Sequence, residues 1–69
     1  MQEHKIVDDF MLCGKSVIAL DSVRSGDEFK ATKMVIAGKI YSFDLTHNDY
    51  MYVIDTTEPL LGKTVRFMV

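Results

Sequence analysis

From Lys15 onward the chain is cut into short runs of β-branched and aromatic residues, each closed by Gly, Asp, Asn or Pro. That punctuation restricts this part of the molecule to strands joined by tight connections. Five strands are read, at 16–21, 28–37, 39–45, 50–56 and 64–69. Ser25-Gly26-Asp27 and Thr46-His47-Asn48-Asp49 lie between runs and are built from residues that favour turns, so both are expected to close hairpins. Gly38 interrupts the middle of the chain, which leaves open whether 28–45 is one bent strand or two. Before this region, Ile6, Val7, Phe10 and Met11 stand at i, i+1, i+4 and i+5, one side of a 3.6-residue period. The spacing predicts a short helix over 3–12 that ends at Gly14 and is held by packing, being too short to persist alone.

The expected fold is therefore a single mainly β domain over 1–69. A short N-terminal helix precedes about five strands that form a small SH3-like or Sm-like barrel, or a strongly bent sheet, over 15–69. The expected core combines the helix stripe with Val17, Ile18, Leu20, Phe29, Val35, Ile36, Phe43, Val53, Val65 and Phe67. A domain this small buries only roughly 60% of the surface of its unfolded chain, so a second subunit is a natural supplement. The last strand alternates Val65, Phe67 and Val69 against Thr64, Arg66 and Met68. Left at a sheet edge it would template aggregation, so it must be paired inside a closed barrel or with another copy, and a homo-oligomer is expected.

Charge narrows the function. Eight Lys and Arg against ten Asp and Glu give a net charge of −2, which argues against coating duplex DNA or an anionic membrane. No apolar run is long enough for a membrane span and no signal peptide is recognised, so the expected compartment is the cytoplasm. The single Cys13 excludes an intrachain disulfide, and no Cys and His spacing suggests a metal site; no cofactor is expected.

Three Gly-Lys pairs, at Gly14, Gly38 and Gly62, recur every 24 residues and each opens an apolar run. The first and third read GKS and GKT, but a phosphate-binding loop needs a further Gly five residues earlier, where Asp9 and Thr57 stand. Asp44, His47 and Asp49 fall in one short turn, where solvated carboxylates keep ordinary acidity and serve the turn itself. No Ser, Thr or Cys has a nearby base at a recognisable spacing, and no catalytic residue is expected. Tyr41, Phe43, Tyr50 and Tyr52 flank the 46–49 turn with Lys39 at the start of the same run. Aromatics on a sheet beside a cation make a base-stacking platform; cross-strand pairing accounts for the same rings without a ligand.

The stretch GKIYSFDLTHNDYMYVID, residues 38–55, resembles the first motif of Sm and Sm-like proteins, in which an apolar strand ends in Phe-Asp, three variable residues and Asn. Here that spacing is Phe43-Asp44-Leu45-Thr46-His47-Asn48. The resemblance implies a helix followed by a small barrel, assembly into a ring, and a role for Asp44 and Asn48 in binding a single-stranded RNA base. In this chain Arg66 is followed by Phe67 where the family has Gly, and one strand follows Asp55 where the family has two.

Two functions are carried forward. The first is a non-enzymatic, self-associating binding module that captures a nucleotide-like ligand, a small nucleotide or a short single-stranded RNA, at subunit interfaces. Lys39, Lys63 and Arg66 would meet phosphate, Tyr41, Tyr50 or Tyr52 would stack on a base, and Asp44, His47 and Asn48 would complete the site. The second is a protein-binding adaptor or inhibitor, of the size common among phage and mobile-element proteins. It would use the 64–69 strand edge or the Phe10 helix face.

Overall fold

A computed structural model describes residues 3–68. Six antiparallel strands, β1 (His4–Leu12), β2 (Lys15–Leu20), β3 (Lys33–Ile36), β4 (Lys39–Leu45), β5 (Met51–Ile54) and β6 (Thr64–Met68), close into a barrel. Their order around it is β1-β2-β5-β4-β3-β6. β3, β4 and β5 follow one another as a meander and β6 returns beside β3, a Greek key. Because β6 pairs with β3 on one side and β1 on the other, the edge that called for a second subunit is sealed within the chain. Val69, at the end of the expected last strand, lies outside the described residues.

The N-terminal helix expected over 3–12 is instead β1, and a β-bulge explains the misleading period. Ile6 pairs with Leu20 but Asp8 with Ala19, so Val7 is an extra residue in the ladder. One inserted residue switches which parity faces inward. Ile6 is buried before the bulge; after it Phe10 is exposed opposite the buried Val17, and Met11 lies half-exposed against Ser16. Two half-strands of opposite parity thus imitate one helical stripe.

The middle segment also departs from expectation. Residues 28–30 are not strand; Gly26–Lys30 form one turn of 3-10 helix, and Ser25-Gly26-Asp27 leads into it rather than closing a hairpin. β3 and β4 are separate strands joined by Ala37-Gly38, with Ile36 directly opposite Lys39. The β1–β2 connection, Cys13-Gly14, is built alike, and both residues of each pair have positive φ: 53° and 79°, then 51° and 80°. These are two-residue type I′ hairpins, whose twist suits the flanking strands. The Gly-Lys pairs at Gly14 and Gly38 are therefore turn chemistry, with Gly in the left-handed position and Lys opening the next strand; Gly62 also has positive φ, but Lys63 precedes β6.

The core gathers Ile6, Ile18, Leu20, Met34, Ile36, Tyr52, Ile54, Leu60, Val65 and Phe67. Phe43, Tyr52, Phe67 and His4 form a chain of edge-to-face rings with centroids 5.3–5.6 Å apart, the geometry the ring quadrupole favours. Several expected core residues lie elsewhere. Val35 and Val53 are half-buried on outward-facing positions, and Phe29 is 61% exposed on the 3-10 turn.

Each barrel end is crossed by a connection. Residues 21–32 run from β2 to β3, which are opposite each other in the strand order, and close one end. Residues 55–63 close the other: Glu58 meets Lys39 and Tyr41 on β4, while the Leu60 N–H donates to Asp9 Oδ2 on β1 at 2.8 Å. Among the described residues, no helix is long and apolar enough to cross a membrane.

Candidate functional site

The residues expected to bind a ligand are spread over both ends and the outer wall. Lys39 Nζ lies 2.8 Å from Glu58 Oε1, and the Tyr41 hydroxyl donates to Glu58 Oε2 at 3.3 Å. The Glu58 hydrogen bond and charge raise the Lys39 pKa above its ordinary value, and Lys39 in turn lowers that of Glu58. Lys63 adds to the same field. Arg66 is exposed on the outer wall opposite Val35. This set lies at or near the 55–63 end, with its principal cation already paired.

At the opposite end are Asp44, His47, Asn48 and Tyr50. The 46–51 turn is bonded to itself: Thr46 Oγ1 accepts the Asn48 N–H at 3.1 Å and lies 3.0 Å from the Met51 carbonyl, and Asn48 Nδ2 faces Met51 Sδ. His47 and Asn48 are exposed, and Tyr50 is partly exposed beside residues 20–23. Tyr52 is 0% exposed and is a core ring, with its hydroxyl donating to the Asp49 carbonyl at 2.8 Å. Burial first of all raises its pKa above the ordinary value. It is not available to stack on a base.

What the 21–32 connection adds was not legible from spacing. It covers the barrel mouth and leaves a cleft of about 390 Å³ between itself and the end of β4, lined by Arg24, Phe29, Thr32, Phe43, Asp44 and Leu45 among others. The Arg24 guanidinium carbon lies 5.1 Å from the Phe29 ring centroid and 5.5 Å from that of Tyr52, within cation–π range of both. Its Nε is shut off from solvent without a hydrogen-bond partner. Among the described residues no carboxylate forms an ion pair with Arg24. Phe29 and Leu45, 61% and 63% exposed, give the cleft an apolar rim.

The connection is clasped from below. His4, 1% exposed, reaches Glu28 Oε2 through Nε2 at 2.8 Å and Ser22 Oγ through Nδ1 at 2.8 Å. Glu28 Oε1 accepts the Ser25 N–H at 3.0 Å. The Ser-x-x-Glu spacing of Ser25 and Glu28 is a helix-start signature and was the one sequence signal for this element. Among the described residues no group of three or more His, Cys, Asp or Glu could hold a metal ion.

The fold and cleft define a class: a small closed Greek-key barrel with a ligand-sized hollow beneath one cap. Compared with known proteins, the chain matches no family model, no curated protein and no solved structure. Its function is therefore read from its own residues.

Proposed function

We propose that this protein is a binding module that captures a nucleotide-like ligand, a planar ring carrying an anionic group, in the cleft between residues 21–32 and the end of β4. The observation that carries the reading is Arg24. Its guanidinium is positioned against two aromatic rings at the edge of a hollow yet has no carboxylate partner among the described residues. An incoming phosphate or carboxylate supplies that partner through the planar fork of donors. A base then lies on the exposed Phe29 and Leu45 side chains. Asp44, which lines the same cleft, accepts from an exocyclic amino group, the kind of role the Sm-like resemblance implies for it.

The site differs from the sequence expectation in its members. Arg24 and Phe29 take the roles assigned to Lys39 and Tyr52, one of which is ion-paired and the other in the core. The net charge of −2 favours a small ligand over an extended polyanion. The surfaces named for an adaptor differ from expectation: the 64–68 edge is paired on both sides, and Phe10 is exposed on a strand rather than a helix.

The test is calorimetric titration and thermal shift with nucleoside monophosphates, dinucleotides and a short single-stranded RNA. Saturating ligand at about 100 times its dissociation constant adds about 2.7 kcal/mol of stability, a readily measured rise in melting temperature. Arg24→Ala and Phe29→Ala should each remove the shift, whereas Lys63→Ala should leave it. Absence of any shift across the panel rejects the reading.

A further inference from the structure

We infer that Ser22, His4 and Glu28 form an activated serine, able to take an acyl group from a small neutral ester bound in the hollow beside Tyr50. This goes beyond nucleotide capture and concerns a different pocket. The three residues stand 18 and 24 positions apart along the chain and are joined only because residues 21–32 fold back over the start of β1. His4 is buried with both ring nitrogens engaged, Nε2 on Glu28 and Nδ1 on Ser22, each at 2.8 Å. A carboxylate at Nε2 holds the proton on that nitrogen, so Nδ1 carries the lone pair that faces the Ser22 hydroxyl. Glu28 is itself oriented by the Ser25 N–H on its other oxygen. This is nucleophile, base and orienting group in hydrogen-bonded series, the arrangement that activates a serine whatever the fold.

The surroundings suit the chemistry. Ser22 lines an open hollow of about 290 Å³ with Leu20, Asp21, Val23 and Tyr50, large enough for a short acyl chain. The Asp21 carboxylate lies 3.1 Å from Ser22 Oγ as a second acceptor for its proton. Asp21 is held below the ordinary carboxylate pKa, first by the Lys5 N–H it accepts, and so remains charged to balance an imidazolium at His4. Its charge also turns anionic substrates away from this hollow, which separates it from the Arg24 cleft. In the step itself, Ser22 Oγ attacks the ester carbonyl carbon and its proton passes to His4 Nδ1. The tetrahedral adduct collapses by breaking the C–O bond to the alcohol, which leaves with that proton. Water repeats the sequence on the acyl-serine, releasing the acid and restoring Ser22.

The experiment uses the whole chain with diisopropyl fluorophosphate and, separately, p-nitrophenyl butyrate, followed by intact mass and peptide mapping. The expected result is one adduct per chain on Ser22, formed on the order of a hundredfold faster than on the exposed Ser42 of the same molecule. Ser22→Ala should abolish it in a chain that still folds by circular dichroism, because the His4–Glu28 pair is kept although the His4 Nδ1 bond to Ser22 is lost. Glu28→Gln, which keeps the side-chain volume, should slow labelling on the order of tenfold or more if it remains folded by circular dichroism. Two outcomes overturn the inference: no Ser22 adduct while a known serine hydrolase in the same mixture is labelled, or equal labelling of Ser22 and Ser42. Either leaves the cluster as a structural clasp alone.

Discussion

The two ends of the barrel are closed by different physics. Residues 55–63 close theirs with an inserted apolar side chain and main-chain bonds: Leu60 is 1% exposed, its N–H rests on Asp9, and Gly62 and Lys63 bond to the backbone of Ile6. Residues 21–32 close theirs with polar side chains, the buried His4–Glu28 pair and its Ser22 extension, while Phe29 lies outside. Apolar closure fills the space it covers. Polar closure leaves hollows beside it, because charged groups need their partners more than they need dense packing. Both candidate pockets, Ser22 and the Arg24 guanidinium lie at the polar end. A small domain has little core to spare, and both proposed sites are at the cap closed by polar side chains.

The largest effect should come from Glu28→Ala. It removes the carboxylate that accepts from both the buried His4 Nε2–H and the Ser25 N–H and should cost about 4 kcal/mol, roughly 2 for each lost bond, a large share of what a domain of this size has in total. Urea denaturation at neutral pH measures it, and a loss under 1 kcal/mol would mean that the polar cap contributes little to the fold. At the other end, Leu60→Ala should cost about 3 kcal/mol through lost burial and the cavity left behind. It should do so without altering nucleotide binding, which separates the two caps by titration. Asp9→Ala, which strands the Leu60 N–H, should cost about 1–2 kcal/mol, and Asp9→Asn should restore most of that.

Stability against pH should sharpen the comparison more finely. Glu58 is lowered below its ordinary 4.5 by the Lys39 hydrogen bond, so its contribution is present above 4.5 and is lost as pH falls through the lowered folded value. Both groups are exposed and the effect is small; Lys39→Ala should flatten that part of the acid profile. On the alkaline side Tyr52 is raised above its ordinary 10.0 by burial, so its contribution is intact below pH 10.0 and is lost as pH rises through the folded value. Absorbance at 295 nm should show one phenol ionising together with unfolding. The smallest change is a gain: Ala37→Asn puts a residue tolerant of positive φ at the first turn position and should stabilise by about 0.5 kcal/mol in thermal melts.

Much of the barrel was readable because strands and turns are local. The strands expected at 39–45, 50–56 and 64–69 hold β4, β5 and β6, and Gly14 and Gly38 fall at turn positions. The bulge at Val7 was not readable, since an extra residue in a strand and a turn of helix give the same apolar spacing over ten positions. Phe29 was placed in the core by its hydrophobicity, although the 3-10 turn that presents it outward is specified by Ser25 and Glu28. Of the residues expected to bind ligand, Asp44 lines the cleft, while Tyr52 shows that a tyrosine's alternation alone does not reveal whether it faces the core.

The sequence by itself determined a mainly β chain and a net charge of −2, because strand composition and charge are properties of neighbouring residues and sums; Gly14 read as a helix end and Gly38 as a break in a strand until the fold put both in type I′ turns. Only the tertiary structure decided that the barrel closes on six strands, that β6 needs no partner from another chain, and that His4 meets Ser22 and Glu28. These depend on the path of 21–32 across the barrel mouth. The contacts along it join residues far apart in the chain, and no local preference encodes which distant side chain will be waiting there.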